Sequence, residues 1–192
     1  LSKLHQKTDE RIFVLAECIR RGIPLSSIFE CTKIDRFFLN GIQNIIFMEQ
    51  TLKTYTLENL NNKVLKRAKE MGFTDNLIAD LIKAQPTAIR HIRSERGIKP
   101  IYKKVDTFAA EFKTSSPYYY STYVGEDELS VDQRKKVAVI GSGPIKIGQG
   151  IEFDYCSVHG VWALEEMGYE TIMINNNPET VSTDFEIGRA HV

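Results

Sequence analysis

The chain has 192 residues, enough for one or two domains, and its 42% hydrophobic and 26% charged residues are ordinary for a soluble globular protein. Lys and Arg together number 25, as do Asp and Glu, so net charge gives no general attraction to nucleic acid or to an anionic membrane. No apolar run approaches the roughly 18 residues of a membrane span, and the amino end has no signal-peptide core.

The cysteines and histidines give little indication of a metal or redox site. Cys18, Cys31 and Cys156 are odd in number and have no CxxC spacing, which favours reduced thiols in the cytosol over a disulfide framework or a zinc site. The histidines have no partner at metal-ligand spacing, and His159 is predicted to pack in a core-facing helix. The chain begins with Leu1 instead of Met, so we expect a fragment of a longer protein.

Residues 7 to 97 predict a series of short helices that form an all-α unit. The apolar face of the first helix consists of Ile12, Leu15, Ala16 and Ile19. Gly22 is predicted to end that helix, and the longest helix is predicted to follow Asp35. The wide apolar stripe of the longest helix consists of Phe38, Ile42, Ile45, Ile46 and Met48.

Three shorter helices follow, in which Asp75 is predicted to cap an amino end and Pro86 to occupy a first turn. The last two helices have the length and apolar spacing of a helix-turn-helix. Its second helix carries the basic residues Arg90, His91, Arg93 and Arg96. A small DNA-binding module is therefore one alternative, although surface helices inside a bundle often carry such residues.

From residue 98 onward the pattern changes to extended segments, and the acidic stretch VGEDELSVDQRKK predicts a mobile linker. Residues 137–140 then predict a fully buried parallel strand, because the run is short, β-branched and without polar alternation. A glycine turn, a helix and the second strand ETIMINNN complete a strand-helix-strand unit. The sheet is begun and then cut off, so this part should be the least stable.

The glycine turn GSGPIKIGQGIEFDY raises a nucleotide site as a further alternative. Gly141 and Gly143 match the first two positions of the dinucleotide fingerprint, but Lys146 replaces its third glycine. The second strand ends in asparagines instead of an acidic residue for a ribose, and no Walker sequence closes the loop. Glu152 and Asp154 lie where a phosphate would need cations. These departures disfavour a nucleotide-binding α/β domain.

Two glutamates follow the two strands at what is predicted to be the same edge of the sheet. Glu152 comes after the glycine turn and Glu179 after the second strand, so both can face one cavity. They would then form a general acid–base pair, or they cap helix amino ends, where carboxylates are favoured. The residues alone leave both interpretations open.

The stretch from residue 137 to residue 185 resembles the opening of the second synthetase half of carbamoyl phosphate synthetase large chains, through GxGPxxIGQGIEFDY and NPETVSTD. Upstream, KIDRFFLNGI and YKKVDTFAAEF with YYYSTY are similar to the family's helical oligomerisation domain and connector. This resemblance predicts an α + α/β fold in three parts. These are a helical oligomerisation domain (residues 1–104), a connector (105–135) and the truncated βαβ start of a pre-ATP-grasp, Rossmann-like domain (136–185).

The resemblance implies a cytoplasmic ATP-dependent ligase that makes carbamoyl phosphate from bicarbonate, ammonia released from glutamine, and two ATP, for arginine or pyrimidine biosynthesis. ATP and Mg²⁺ or Mn²⁺ bind ATP-grasp modules outside this chain, so we expect an inactive fragment without catalytic, cofactor-binding or metal-binding residues. The implied partners are the glutaminase small subunit and further large subunits, joined as a homo-oligomer through the helical domain, with no nucleic acid and no membrane. Gly150, Glu152 and Glu179 match positions that line the family's carbamate passage.

The carboxyl-terminal residues 186–192 depart from the family. They read EIGRAHV, where the family continues with an acidic and polar sequence. A widely used sequencing adapter, GAGATCGGAAGAGCACACGTC, encodes the same residues in this frame. We predict that residues 186–192 are read-through and pack against nothing.

Overall fold

A computed structural model describes residues 2–106, 111, 118–131, 133–141, 143, 150–176, 182 and 189–191. The chain divides into two compact units, Leu1–Ile98 and Lys99–Val192, and each is described by itself. The first is helical and the second is an α/β unit, which confirms the predicted order of the two classes of structure. The predicted domain limits at residues 104 and 135 stay a prediction.

The first unit contains a short 3₁₀ helix, Ser2–His5, followed by a series of α-helices. These are α1 (Arg11–Arg20), α2 (Leu25–Thr32), α3 (Arg36–Leu52), α4 (Asn62–Glu70), α5 (Asp75–Ile82) and α6 (Pro86–Glu95). Gly22, with φ of +74°, follows the end of α1, and the Asp35 side chain accepts from the Phe37 N–H at the start of α3. Pro86 occupies the first turn of α6. These three predicted boundaries are confirmed.

One core cluster of the first unit lies between α1, α2 and α3. Its fully or largely buried residues are Leu4, Leu15, Cys18, Ile19, Ile28, Leu39 and Ile46. Of the residues on the predicted apolar faces, Leu15, Ile19 and Ile46 are buried, whereas Ile12, Phe38 and Ile45 are 55%, 62% and 47% exposed. The face of α3 that packs on the neighbouring helices contains Leu39 and Ile46. The apolar stripe of α3 is wider than the part that the described neighbours cover.

A largely buried ion cluster joins α4, α5 and α6, in which the side chains of Asp75 and Arg93 are 20% and 13% exposed. Lys69 Nζ lies 2.8 Å from Asp75 Oδ1 and also donates to the Phe73 carbonyl, while Arg93 Nη2 lies 3.1 Å from Asp75 Oδ2. Thr74, not Asp75, caps α5 by accepting from the Leu77 N–H, so the predicted cap was wrong by one residue. Asp75 instead connects the three helices through charge-assisted hydrogen bonds.

The cluster also sets the ionisation of Asp75. Burial by itself would raise the pKa of Asp75, but the hydrogen bonds from Lys69 and Arg93 and their charges outweigh it, and the pKa lies below its ordinary value. A second Arg93 group, Nη1, donates to the Ile98 carbonyl at 3.0 Å. The same guanidinium therefore fixes both the start of α5 and the chain leaving α6.

The second unit is a sheet with one helix described on it. Its elements are β1 (Ile101–Lys104), β2 (Tyr119–Thr122), β3 (Lys136–Ile140), α7 (Gly150–Glu166), β4 (Glu170–Ile174) and β5 (Arg189–His191). The strand order is β1-β2-β5-β4-β3, in which β1 and β2 pair antiparallel and the other described pairs are parallel. Val158 and Val161 of α7 pack on Met173 of β4. β3, α7 and β4 thus form the predicted parallel strand-helix-strand unit.

Strand β3 lies at the edge of the sheet, and its predicted full burial was wrong. Ile140 is 79% exposed, and Val137 and Val139 are half-buried. Among the described elements, α7 covers one face of β3 and β4 is its one strand neighbour. The register is nevertheless definite, with Lys136 opposite Glu170 and its Nζ 2.7 Å from the Glu170 carboxylate.

Residues 189–191 form β5 between β4 and β2, which shows that the prediction of an unpacked tail was wrong for these residues. Ile172, Met173 and Ile174 pair with them in parallel register. An open strand edge presents unpaired N–H and C=O groups, and main-chain pairing requires no particular side chains. The proposed adapter origin of the tail stays a prediction.

The acidic stretch after β2 also differs from the expected mobile linker. Asp127 accepts from the Tyr102 N–H at 3.1 Å, and Glu128 accepts from the Lys104 N–H at 2.9 Å. The Glu128 N–H in turn donates to the Tyr102 carbonyl. The carboxylates therefore occupy the outer edge of β1, where a strand would otherwise expose unpaired donors.

Replacement of Asp75 should destabilise the first unit. Asp75→Asn leaves Lys69 and Arg93 without their charged acceptor, so we expect a loss of about 2–3 kcal/mol in the free energy of unfolding. Asp80→Asn removes an exposed carboxylate from the same helix and should change it by less than about 0.5 kcal/mol. Urea unfolding followed by circular dichroism measures both, and equal values would contradict the role of Asp75.

The same group gives a pH dependence with a definite sign. Because the folded-state pKa of Asp75 is lowered, its stabilisation is complete above the unfolded pKa of about 3.9 and is lost as the pH falls through the folded value. Stability should therefore decline more steeply below about pH 4 in the unmodified chain than in Asp75→Asn.

The α/β unit should open more readily than the helical unit. Ile140 is 79% and Ile174 43% exposed, so the sheet around β3 and β4 buries less apolar surface than a complete parallel sheet does. Amides of residues 136–176 should exchange with solvent faster than the core amides of α3. Better protection of residues 136–176 than of α3 would contradict this expectation.

Candidate functional site

The candidate site lies where β3 and β4 end side by side. The Gly141 N–H donates to the Ile174 carbonyl at 2.8 Å, which extends the strand pairing by one residue beyond β3. Asn175 follows β4 directly, and α7 begins at Gly150. In open α/β sheets ligands bind at this carboxyl edge, so the side chains gathered here decide what the turn can do.

Asparagine side chains occupy the space beside the glycine turn. A Cβ atom on Gly141 would lie 2.6 Å from Asn175 Nδ2, and one on Gly143 would lie 2.6 Å from Asn176 Oδ1. Gly143 also has φ of +74°, which other residues rarely adopt. Because the two glycines have no Cβ atoms, the asparagine side chains fit beside them. A phosphate bound here would have to displace Asn175 and Asn176. That the turn holds no nucleotide stays a prediction.

A buried polar cluster connects the end of β4 to the first turns of α7. The Asp154 carboxylate accepts from the Ser182 N–H at 2.6 Å and, through its other oxygen, from the Ser182 hydroxyl. Asn175 Nδ2 donates to the Ser182 hydroxyl oxygen at 3.3 Å. Asp154 and Ser182 are each 1% exposed and Asn175 is 4% exposed. Ser182 therefore connects the end of β4 to a carboxylate that lies 28 positions away in the sequence.

The structure describes the predicted site residues only in part. Gly150 is the first residue of α7 and Glu152 lies in its first turn, so both backbones belong to the carboxyl edge of the sheet. The side chain of Glu152 and all of Glu179 lie outside the described residues. That Glu152 and Glu179 face one cavity stays a prediction.

Ser182 was not predicted as a site residue, and the buried role of Asp154 was missed. Both contacts join residues that are 28 positions apart, and such pairing leaves no periodic pattern. One signal was available, because Asp154, Val158 and Val161 have the i, i+4, i+7 spacing of a single helix face. An aspartate on an otherwise apolar face indicates a buried carboxylate that has hydrogen-bond partners.

His159 was predicted to pack in the core, and this was wrong. It is exposed, and its ring lies edge-to-face between Tyr155, at 4.6 Å, and Trp162, at 5.3 Å between centroids. The buried face of α7 runs through Asp154, Val158 and Val161, so the next residue after Val158 turns away from it.

The basic residues of the helix-turn-helix alternative are partly used inside the first unit. Arg93 binds Asp75 and the Ile98 carbonyl, and Arg96 donates to the Leu60 carbonyl at 2.5 Å. His91 lies on the surface, 3.3 Å from Glu95. Side chains held by internal carbonyls are not available to phosphates, so the helix pair resembles bundle packing more than a DNA-reading surface.

Within the described residues, no three His, Cys, Asp or Glu side chains are grouped closely enough to hold a metal ion. None of the helices in that part of the chain has both the length and the hydropathy of a membrane span.

Comparison with protein families assigns both units. Residues 1–97 match the model described as the carbamoyl-phosphate synthetase large chain, oligomerisation domain. Residues 133–191 match the carbamoyl phosphate synthase preATP-grasp domain. The chain belongs to the carbamoyl phosphate synthetase large-chain family. The two matches correspond to the helical and the α/β unit, in that order.

Curated relatives agree with this assignment. The carbamoyl phosphate synthase large chain of Clostridium acetobutylicum is 52% identical over 186 residues, which are 97% of this chain and 17% of the relative. That of Clostridium botulinum is 55% identical over 179 residues, or 93% of this chain and 17% of the relative. The chain thus spans less than a fifth of the length of these large chains.

Substitution at Gly141 should show whether the asparagine packing matters. Gly141→Ala places a methyl group against the buried Asn175 side chain, so we expect it to destabilise the α/β unit by about 1–3 kcal/mol. Gly160→Ala is the matched control within α7, because nothing lies within 4 Å of its Cβ position, and it should be neutral or stabilising. Amide exchange within β4 and α7 measures both, and equal protection in the two variants would contradict the close approach.

Proposed function

We propose that this chain is a segment of the large subunit of glutamine-hydrolysing carbamoyl phosphate synthetase. That enzyme is an ATP-dependent ligase that makes carbamoyl phosphate from bicarbonate, ammonia and two ATP. The observation that carries the proposal is the ordered match of two large-chain family models to the two structural units. On this proposal the enzyme is cytoplasmic and serves arginine or pyrimidine biosynthesis.

The helical unit is proposed to mediate oligomerisation of large subunits. Phe37 and Phe38 of α3 are 78% and 62% exposed, and their rings contact each other edge-to-face with centroids 5.4 Å apart. Two exposed phenylalanines side by side are the kind of apolar anchor that protein interfaces use. The glutaminase small subunit is the second proposed partner, without a surface assigned to it.

The α/β unit is proposed to be the start of a pre-ATP-grasp, Rossmann-like domain and to form part of the carbamate passage. Carbamate is a labile anion, so its passage has to exclude bulk water without binding the anion tightly. Gly150 would keep the passage open because it has no side chain. Glu152 and Glu179 would keep the anion away from the walls or relay hydrogen bonds through ordered water.

ATP and its Mg²⁺ or Mn²⁺ are proposed to bind the ATP-grasp modules of the whole subunit. The residues described here do not fit a nucleotide phosphate, because Asn175 and Asn176 fill the space beside Gly141 and Gly143. On this proposal the chain contributes no catalytic, cofactor-binding or metal-binding residue. Its residues would orient the passage and exclude water, while phosphoryl transfer takes place elsewhere in the enzyme.

A graft tests the proposed function in an intact enzyme. Residues 5–185 would replace the corresponding segment of the Clostridium acetobutylicum large chain, which is 52% identical to this chain. The graft should make carbamoyl phosphate, and the 192-residue chain alone should show no carbamate-dependent ATP hydrolysis. In the graft, Gly150→Leu should lower carbamoyl phosphate output about tenfold while bicarbonate-dependent ATP hydrolysis continues.

The control in the same helix is Gly160→Ala, whose Cβ position is open and which should leave both reactions unchanged. The proposal fails if the folded graft makes no carbamoyl phosphate, or if Gly150→Leu lowers both reactions together with the melting temperature. Carbamate-dependent ATP turnover by the isolated chain would also contradict it.

The proposed oligomerisation can be tested on the 192-residue chain. Phe37→Ser combined with Phe38→Ser removes apolar surface that is already exposed, so we expect unchanged unfolding and an association constant about tenfold lower. Val131→Ser in the second unit also removes an exposed apolar side chain, 69% exposed, and should leave association unchanged. Sedimentation velocity measures both, and equal association of the two variants would exclude this surface.

A further inference from the structure

The buried carboxylate of Asp154 joins the first turns of α7 to Ser182. Gly150 and Glu152 precede it within the first turn of α7. Its partner Ser182 and the adjoining Asn175 enclose, along the sequence, the stretch that contains Glu179. Asp154 thus follows Gly150 and Glu152 in α7 and is hydrogen-bonded to Ser182, which comes three residues after Glu179 in the sequence.

The geometry of this cluster fixes Ser182 at two points. The Asp154 oxygens accept from its N–H and its hydroxyl, so they determine both the backbone position and the side-chain rotamer of residue 182. Asn175 donates to the same hydroxyl from the end of β4. Since all three residues are at least 96% buried, water cannot readily replace a lost bond.

We propose that Asp154 is a positioning residue for the carbamate passage. It holds Ser182, and through Ser182 the end of β4 at Asn175, against the first turns of α7 and thereby sets the width of the passage beside them. This inference rests on the proposed function above. If the passage loosens, water reaches the carbamate, which takes up one water molecule and returns to bicarbonate and ammonia. ATP already spent in the first half of the enzyme then yields no product.

The local part of the proposal is testable on the 192-residue chain. Asp154→Asn keeps the size of the side chain but replaces one of the two acceptor oxygens by an NH₂ group, so the charge is lost and the Ser182 N–H and hydroxyl can no longer each donate to an oxygen of their own. We expect the Ser182 amide to exchange about tenfold faster in this variant. Glu166→Gln removes an exposed carboxylate from the same helix and should leave that rate unchanged. Equal exchange at Ser182 in both variants overturns the proposal.

The functional part uses the grafted large chain described above. Asp154→Asn should lower the carbamoyl phosphate formed per ATP hydrolysed about threefold or more, with bicarbonate-dependent ATP hydrolysis retained. Ser182→Ala removes the hydroxyl donor and should also lower the carbamoyl phosphate formed per ATP hydrolysed. It replaces Asp154→Asn as the test if that variant fails to fold. Because both changes break one cluster, the double variant should be little worse than either single one.

The outcomes separate this inference from the proposed function. If Gly150→Leu uncouples the graft but Asp154→Asn and Ser182→Ala do not, the positioning role is wrong and the passage stands. If none of the three uncouples, the passage itself is wrong and the positioning role falls with it. A parallel loss of both partial reactions with a lowered melting temperature means that Asp154 only stabilises the fold, which also overturns the proposal.

Discussion

A carboxylate that leaves water has to find its hydrogen bonds inside the protein, and each unit of this chain has such a group where its elements meet. In the helical unit Asp75 accepts from Lys69 and Arg93 and so connects α4, α5 and α6. In the α/β unit Asp154 accepts twice from Ser182. An unpaired buried charge costs more than a lost methylene, so these positions tolerate less change than the apolar cores around them.

Helix boundaries in the first unit were predictable because they depend on local chemistry. Gly22, Asp35 and Pro86 each act within one turn of their own position, and the structure has a boundary at each. The buried faces were less predictable. Periodicity gives the width of an apolar stripe, whereas burial depends on how many neighbouring elements pack on that stripe. Phe38 and Ile45 belong to the stripe of α3 but lie outside the part that the neighbouring helices cover.

In the second unit the parallel pairing of β3 and β4 followed from the strand-helix-strand pattern, because a crossover helix brings consecutive strands side by side. The contact between Asp154 and Ser182 did not follow from it, since a polar contact 28 positions apart has no period. Strand β5 was also not predicted, for a different reason. Its pairing uses main-chain groups that every residue has, so no side-chain pattern predicts or forbids it.

The residues after the neighbouring strand decide what a glycine turn of this kind can hold. In a nucleotide site the missing Cβ atoms make room for a phosphate, which main-chain N–H groups then bind. Here they make room for Asn175 and Asn176, while Asp154 keeps Asn175 in place through Ser182. This edge therefore places neutral amides beside the turn, while the carboxylate of Asp154 is buried and bonded to Ser182. Neutral amides hold an anion weakly, which suits the proposed passage better than a binding site, because carbamate has to leave as readily as it enters.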